Sequence, residues 1–304
     1  MLSDLVKLGI VHFMVYPKTI RGEGPILETL NRLALDPSFD LVEVTWIKDP
    51  GVRKKARELL EESGLEVKYG AQPRLLTTGL DLNSFDDTIR EQAIKTVKEG
   101  VDEALELGAT SLALLSGKNV PEARRGEAKD LLIDSLGQLC EYAKSHQSGF
   151  PIVLEPFDHH IDKKALIGPT QDAVEVARSV REDHKNFGLL LDLSHLPLLG
   201  EKPREALTQA REYLVHAHIG NCVLRDSSNP AWGDKHPRFG TEEGENGVEE
   251  LAEFLSVLFE IGYLGGGKRN VVSFEVQPMA GEDPELVIAH SKRTLARAWS
   301  MMKR

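Results

Sequence analysis

The stretch Asn186–Leu196 reads NFGLLLDLSHL. Leu189, Leu190 and Leu191 form a run that favours burial, yet the chain delivers Asp192 at its end and His195 three residues later. A surface turn would account for that, and so would a strand that carries polar groups into a site. The rest of the chain bears on the choice, because this run is one of a series. Comparable β-rich runs are GIVHFMVY (9–16), FDLVEVTWI (39–47), LEVKYGA (65–71), ATSLALLSG (109–117), FPIVLEPF (150–157), NFGLLLDL (186–193), EYLVHAHIG (212–220) and NVVSFEVQP (270–278).

Between these runs the apolar residues adopt helical spacing. Ile94, Val97, Val101, Ala104 and Leu105 share a face, as do Ala173, Val176, Ala177 and Val180. Leu251, Phe254, Leu255, Leu258 and Phe259 make a third stripe, and Leu295, Ala298, Trp299 and Met302 a fourth. Strands alternating with helices imply parallel strands joined by crossovers. Eight such units in 304 residues predict a single-domain α/β fold, a (β/α)8 TIM barrel spanning 1–304. An open doubly wound sheet would carry a glycine-rich phosphate turn after its first strand, and VHFMVYPKTIRGEG contains no GxGxxG.

Composition narrows the partners. Charged residues make up 28% and hydrophobic ones 41%, an ordinary globular balance. Lys and Arg number 37 against 48 Asp and Glu, for a net charge of −11, which argues against a nucleic-acid partner. Two cysteines, Cys140 and Cys222, with no CxxC motif predict no disulfide framework. The first residues, MLSDLVKLGIVHFMVYP, lack a basic region before a long apolar core, and no run approaches a membrane span, so the cytoplasm is the expected compartment.

In a parallel barrel the active site forms where strands end. The fifth run carries Glu155 there, the sixth Asp192, the seventh His216 and His218 on one face, and the eighth Glu275. Taken singly, a carboxylate at a strand end usually caps the next helix, and a histidine in an apolar strand is usually a hydrogen-bonded core residue. Four consecutive strands doing the same thing weaken that reading, because buried charges are paired or metal-bound. Two glutamates, an aspartate and a histidine offer three oxygens and a nitrogen, a set suited to Mn²⁺, Mg²⁺ or Co²⁺.

The order Glu, Asp-x-x-His, His, Glu on strands five to eight resembles the xylose isomerase-like barrels, which include sugar and sugar-phosphate isomerases and epimerases. The resemblance covers nearly the whole chain. It implies that Glu155, Asp192, His218 and Glu275 hold one divalent metal, Mn²⁺ ahead of Mg²⁺, Co²⁺ or Zn²⁺. It further implies that Glu155 and Glu275 are the catalytic acid/base pair and that His195 contacts the substrate or an oxyanion. The implied reaction is isomerisation or epimerisation of a carbohydrate by proton abstraction beside a metal-polarised carbonyl. Homo-oligomers are common in the resembled family.

Other residues are candidates for holding the substrate. The segment 221–247, NCVLRDSSNPAWGDKHPRFGTEEGENG, is long for a compact connection and is expected to form a lid. It contributes Trp232, His236, Pro237, Arg238 and Phe239. An arginine follows the ligand histidine in the epimerase-like relatives, and Arg225 is the nearest match. The PFDHHIDKK loop after Glu155 adds His159, His160, Lys163 and Lys164. His12, Glu43, Gln72 and His216 are further polar candidates near the mouth, while Trp46 is expected to pack in the core. HAHIGNC (216–222) and DKHPRFG (234–240) also resemble a lyase branch of the family, the C-glycoside deglycosidases acting on 3-oxo-glycosides. That resemblance implies a small β-rich partner subunit. A nuclease of the apurinic-site type is disfavoured by the acidic charge, and a non-catalytic binding barrel by the intact ligand set.

Overall fold

The computed structural model describes residues 4–302. Eight strands, β1 (Val6–Val11), β2 (Leu41–Val44), β3 (Glu66–Gly70), β4 (Ala109–Leu115), β5 (Ile152–Glu155), β6 (Phe187–Asp192), β7 (Leu214–Ile219) and β8 (Asn270–Phe274), close into a parallel barrel in sequence order. The barrel is sealed by β1 against β8, with Val6 opposite Asn270 and Ile10 opposite Phe274. Gly9 lies on that seam. A Cβ there would come within 2.2 Å of Ser273 Oγ and 2.7 Å of Leu41 Cδ2, so only glycine fits.

Each strand is followed by a helix on the outside: Ile26–Ala34, Pro50–Ser63, Asp87–Glu106, Arg125–His146, Thr170–Asp183, Pro203–Ala210, Val248–Glu260 and Pro284–Met301. Their starts are written locally. Asp49 and Asp283 each precede a proline and accept backbone N–H bonds from Val52 and Glu285, and Asp86 caps its helix in the same way. The predicted helical stripes face the core: Ile94, Val97, Val101, Ala173, Val176, Leu251, Phe254, Leu295 and Ala298 are all buried. Cys140 and Cys222 are free and buried.

Strand residues divide by parity. Val42, Val44, Tyr69, Leu112, Leu154, Leu189, Leu191 and Phe274 belong to the large core shared with the helices, whereas Ala113, Val153 and Leu190 form a separate small cluster inside the barrel. The leucine run that opened the question is thus buried on both faces, as a barrel strand must be. The remaining lumen is polar, with Lys68 Nζ 3.1 Å from Ser111 Oγ and Ser273 Oγ 3.4 Å from His216 Nε2.

The first predicted run needs correction. The strand covers 6–11, and the apolar residues after it coil into a short helix, His12–Val15. A short apolar run cannot distinguish strand from helix by periodicity. Two more short helices, Gln72–Thr78 and His195–Leu199, begin just beyond β3 and β6 and project residues over the mouth. Among the described residues no helix is long and apolar enough to cross a membrane.

Candidate functional site

The ends of β5, β6, β7 and β8 bring Glu155, Asp192, His218 and Glu275 together, with one donor atom of each within 4.8 Å of all the others. All four are buried. Their second contacts fix their orientation. Asp192 Oδ1 accepts the backbone N–H of Ser194 at 2.6 Å, and Glu155 Oε2 accepts a bond from Gln72 Nε2 at 2.7 Å. Asp192 Oδ2 and Glu155 Oε1 are buried without any hydrogen-bond partner. His218 Nδ1 lies 2.6 Å from Glu275 Oε2 and 3.6 Å from Glu155 Oε1. Unpartnered anionic oxygens at such depth are costly, and a divalent cation satisfies them. Three hard oxygens and one imidazole nitrogen suit Mn²⁺, Mg²⁺ or Zn²⁺, so the residues present fit a single ion.

Electrostatics agree with the crowding. Burial raises the Asp192 carboxyl above its ordinary value, and the neighbouring Glu275 adds to the rise. Burial opposes charge on His218, but Glu43 and Glu275 overcome it and hold the imidazole well above the usual range. The histidine proton therefore balances the same carboxylates that a metal would.

A neighbouring cluster was not foreseen. Asp234, buried in the 221–247 segment, has Oδ1 2.7 Å from His236 Nε2 and 3.2 Å from His195 Nε2, while its Oδ2 accepts from Lys163 at 2.7 Å. Burial alone would neutralise Asp234, yet Lys163, His236 and His195 pull its carboxyl well below the usual range. Burial likewise disfavours charge on His195 and His236. Asp234 and Asp192 reverse this for His195, whose pKa is raised to about 10; Glu275 and Asp234 do so for His236, raised to about 9. His195 Nδ1 is anchored 2.9 Å from Pro156 O. Asp192, His195 and His236 also bring donor atoms within 4.8 Å of one another. His236 adopts a left-handed backbone (φ 51°), uncommon away from glycine, which helps to aim its ring between Asp192 and Asp234. His195, His236 and Lys163 were singled out in the sequence one by one, but Asp234, which joins them, was not.

The 221–247 segment forms part of the wall. Asn221 Oδ1 accepts the backbone N–H groups of Cys222 and Asn246, and Asn246 Nδ2 donates to Leu193 O and Gly220 O at 3.1 Å. Phe239 is buried against Phe274. A cavity of about 250 Å³ opens over Glu155, His218 and Glu275. Its lining combines polar Glu155, His218, Glu275, Glu43, Gln72, Lys163, Asp234 and His236 with apolar Val11, Phe13, Met14, Ile20, Leu76 and Phe157.

Several expected substrate contacts lie elsewhere. His12 turns away from the mouth: its Nε2 is 2.7 Å from Thr29 Oγ1, behind the first strand. Arg225 is exposed and lies 3.5 Å from Glu245 on a different surface cleft. Arg238 bonds Glu282 outside the cavity, at 2.9 Å. His159 Nε2 sits 3.0 Å from Arg125 Nη1, behind the loop that follows β5. His216 is buried under the mouth, 2.9 Å from Glu43 Oε1. Trp46 packs against the core as expected, and its Nε1 donates to Ile20 O at 2.9 Å.

A closed parallel barrel with a carboxylate–histidine cluster at the strand ends defines a class of α/β protein with its site at the mouth. The chain belongs to the xylose isomerase-like TIM barrel family, whose model matches residues 32–298. No curated protein matches the sequence. A solved D-psicose 3-epimerase with D-tagatose, from Clostridium cellulolyticum H10, shares the fold with a TM-score of 0.72 at 17% identity, over 98% of this chain and 100% of that one. The 3-keto-D-glucoside 4-epimerase YcjR from E. coli gives 0.63 at 18% identity, over 97% and 99%. The IOLI protein with a binding zinc atom gives 0.72 at 18%, over 98% and 99%. At such identities the likeness is one of fold.

Proposed function

We propose that this chain is a divalent-metal-dependent sugar epimerase or isomerase acting beside the carbonyl of a keto sugar, with Mn²⁺ the preferred ion. The observation that carries the reading is the convergence of Glu155, Asp192, His218 and Glu275, with Glu155 Oε1 and Asp192 Oδ2 left unpartnered. A cation bound there supplies Lewis acidity to the substrate carbonyl. The chain supplies the rest. Glu155 and Glu275 stand on strands three apart and both line the cavity, so one carboxylate takes the proton from the carbon next to the carbonyl. The other returns it from a different side, which inverts the centre. Gln72 holds Glu155 in place, and Asp234, itself held by Lys163, holds His195 and His236 beside the carboxylates.

A second reading is supported by the apolar lining of the cavity. Phe13, Met14, Ile20, Leu76 and Phe157 offer apolar surface to a substituent that a free hydroxylated sugar lacks. A 3-oxo-glycoside with an apolar aglycone would use both kinds of lining, and loss of the aglycone after the same proton abstraction would make the chain a lyase. The solved 3-keto-D-glucoside 4-epimerase of the same fold supports a keto-glycoside as substrate.

The test is metal analysis of the protein after Mn²⁺ loading and desalting, beside an Asp192→Ala/His218→Ala variant. About one ion per chain in the parent and none in the variant is expected. Deuterium uptake from D₂O into ketoses and 3-oxo-glycosides then separates the two readings. Absence of metal from both proteins would remove the basis of the proposal.

A further inference from the structure

The state of the carboxylate oxygens separates two kinds of acid at the mouth. Glu155 and Asp192 each keep one buried oxygen without a partner. Glu43, equally buried, does not: Oε1 lies 2.9 Å from His216 Nε2 and 3.0 Å from His218 Nε2, and Oε2 lies 3.1 Å from the same His218 nitrogen. Two imidazoles of its own chain thus already engage both oxygens of this carboxylate.

The direction of His218 gives this contact a purpose. Its Nδ1 faces Glu275 and Glu155, so Nε2 points away from them, across the lumen towards β2. A neutral imidazole that offers Nδ1 to a metal carries its proton on Nε2. An anionic acceptor at Nε2 fixes that tautomer, locks the ring plane and makes Nδ1 a stronger donor.

We propose that Glu43 is the positioning carboxylate of the ligand histidine His218, with His216 as the brace that holds Glu43 beneath it. The inference rests on the metal-site reading above, and it replaces the sugar-contact role expected for both residues. Ser273 Oγ, 3.4 Å from His216 Nε2, extends the same polar column downwards.

The experiment measures the Mn²⁺ dissociation constant by the EPR signal of free ion, in the parent, Glu43→Gln and Glu43→Asp. Thermal melting with chelator present checks that each variant folds, and the shortened carboxylate keeps the test available should the amide variant fail to fold. Both variants are expected to bind roughly 10- to 100-fold more weakly, the usual effect of removing a ligand's outer partner. In Zn²⁺-loaded protein the His218 Nε2–H proton resonance, held downfield by the carboxylate, should move upfield in Glu43→Gln. A folded variant with parental Mn²⁺ affinity and an unmoved resonance would overturn the proposal. A parent that binds no Mn²⁺ would overturn it together with the metal-site reading, whereas parental binding with unchanged variants would sink this inference alone.

Discussion

Around the barrel mouth, β5 to β8 end in Glu155, Asp192, His218 and Glu275, whereas the segments that follow β1 and β3 present Phe13, Met14, Ile20 and Leu76 to the same cavity. The first group is a charge cluster held by buried hydrogen bonds and the second is apolar, with Glu43 and Gln72 reaching the cavity from β2 and the helix after β3. The contrast separates chemistry from selection. On the proposed function, the reacting atoms belong against the carboxylates and the apolar side chains meet the rest of the substrate. Two buried histidines show the same division. Burial lowers the His12 pKa to about 3, because no carboxylate faces it, while His218 is driven the other way by Glu43 and Glu275.

The sharpest way to break the contrast is Glu155→Gln, which keeps shape and removes the base. Turnover should fall roughly 10²- to 10⁴-fold, measured as loss of deuterium exchange at the substrate carbon; parental exchange would remove Glu155 from the acid/base pair. On the apolar side, Leu76→Ala should leave metal binding and turnover of a free ketose alone. It should weaken binding of a substrate with an apolar substituent by about 1 kcal/mol, or several-fold in Kd, read by calorimetry.

His12 tests the same contrast through acid stability. Thr29 Oγ1 donates to Pro25 O, so it accepts from His12 Nε2–H, and the ring is neutral in the fold. The unfolded chain takes up this proton near the ordinary histidine value and the folded protein only near pH 3. The contribution is therefore complete above about pH 6.5 and falls by at most about 1.4 kcal/mol per pH unit below it. His12→Gln should flatten that slope in urea titrations between pH 6 and pH 4. The smallest effect belongs to Arg225→Ala. The side chain is 70% exposed and outside the cavity, so kcat/KM should stay within error of the parent, and a large loss would restore it as a substrate contact.

The barrel was legible because burial on both faces of parallel strands leaves unmistakable apolar runs, and because crossover helices repeat one amphipathic pattern. The four converging donors were legible as the last residues of such runs. What escaped the sequence lay where no period governs direction. His12 follows a strand, but its backbone has already turned into a helix and carries the ring to Thr29. Asp234 sits mid-loop, and its partners His195 and Lys163 come from two other loops. Glu43 was visible as a polar residue on a strand, but its partners, 173 and 175 residues away, were not.

The seam between β1 and β8 has a consequence for how the chain is made. Glu275 is the residue immediately after β8, and Ile10 opposite Phe274 is among the pairings that close the ring. During synthesis the first seven strands emerge before either the final pairing or Glu275 exists. Assembly of the site is therefore coupled to closure of the ring, so a nascent chain stalled before residue 270 would carry Glu155, Asp192 and His218 but lack the complete cage. Ring closure and completion of the four-donor cluster are thus both set by the last strand to be translated.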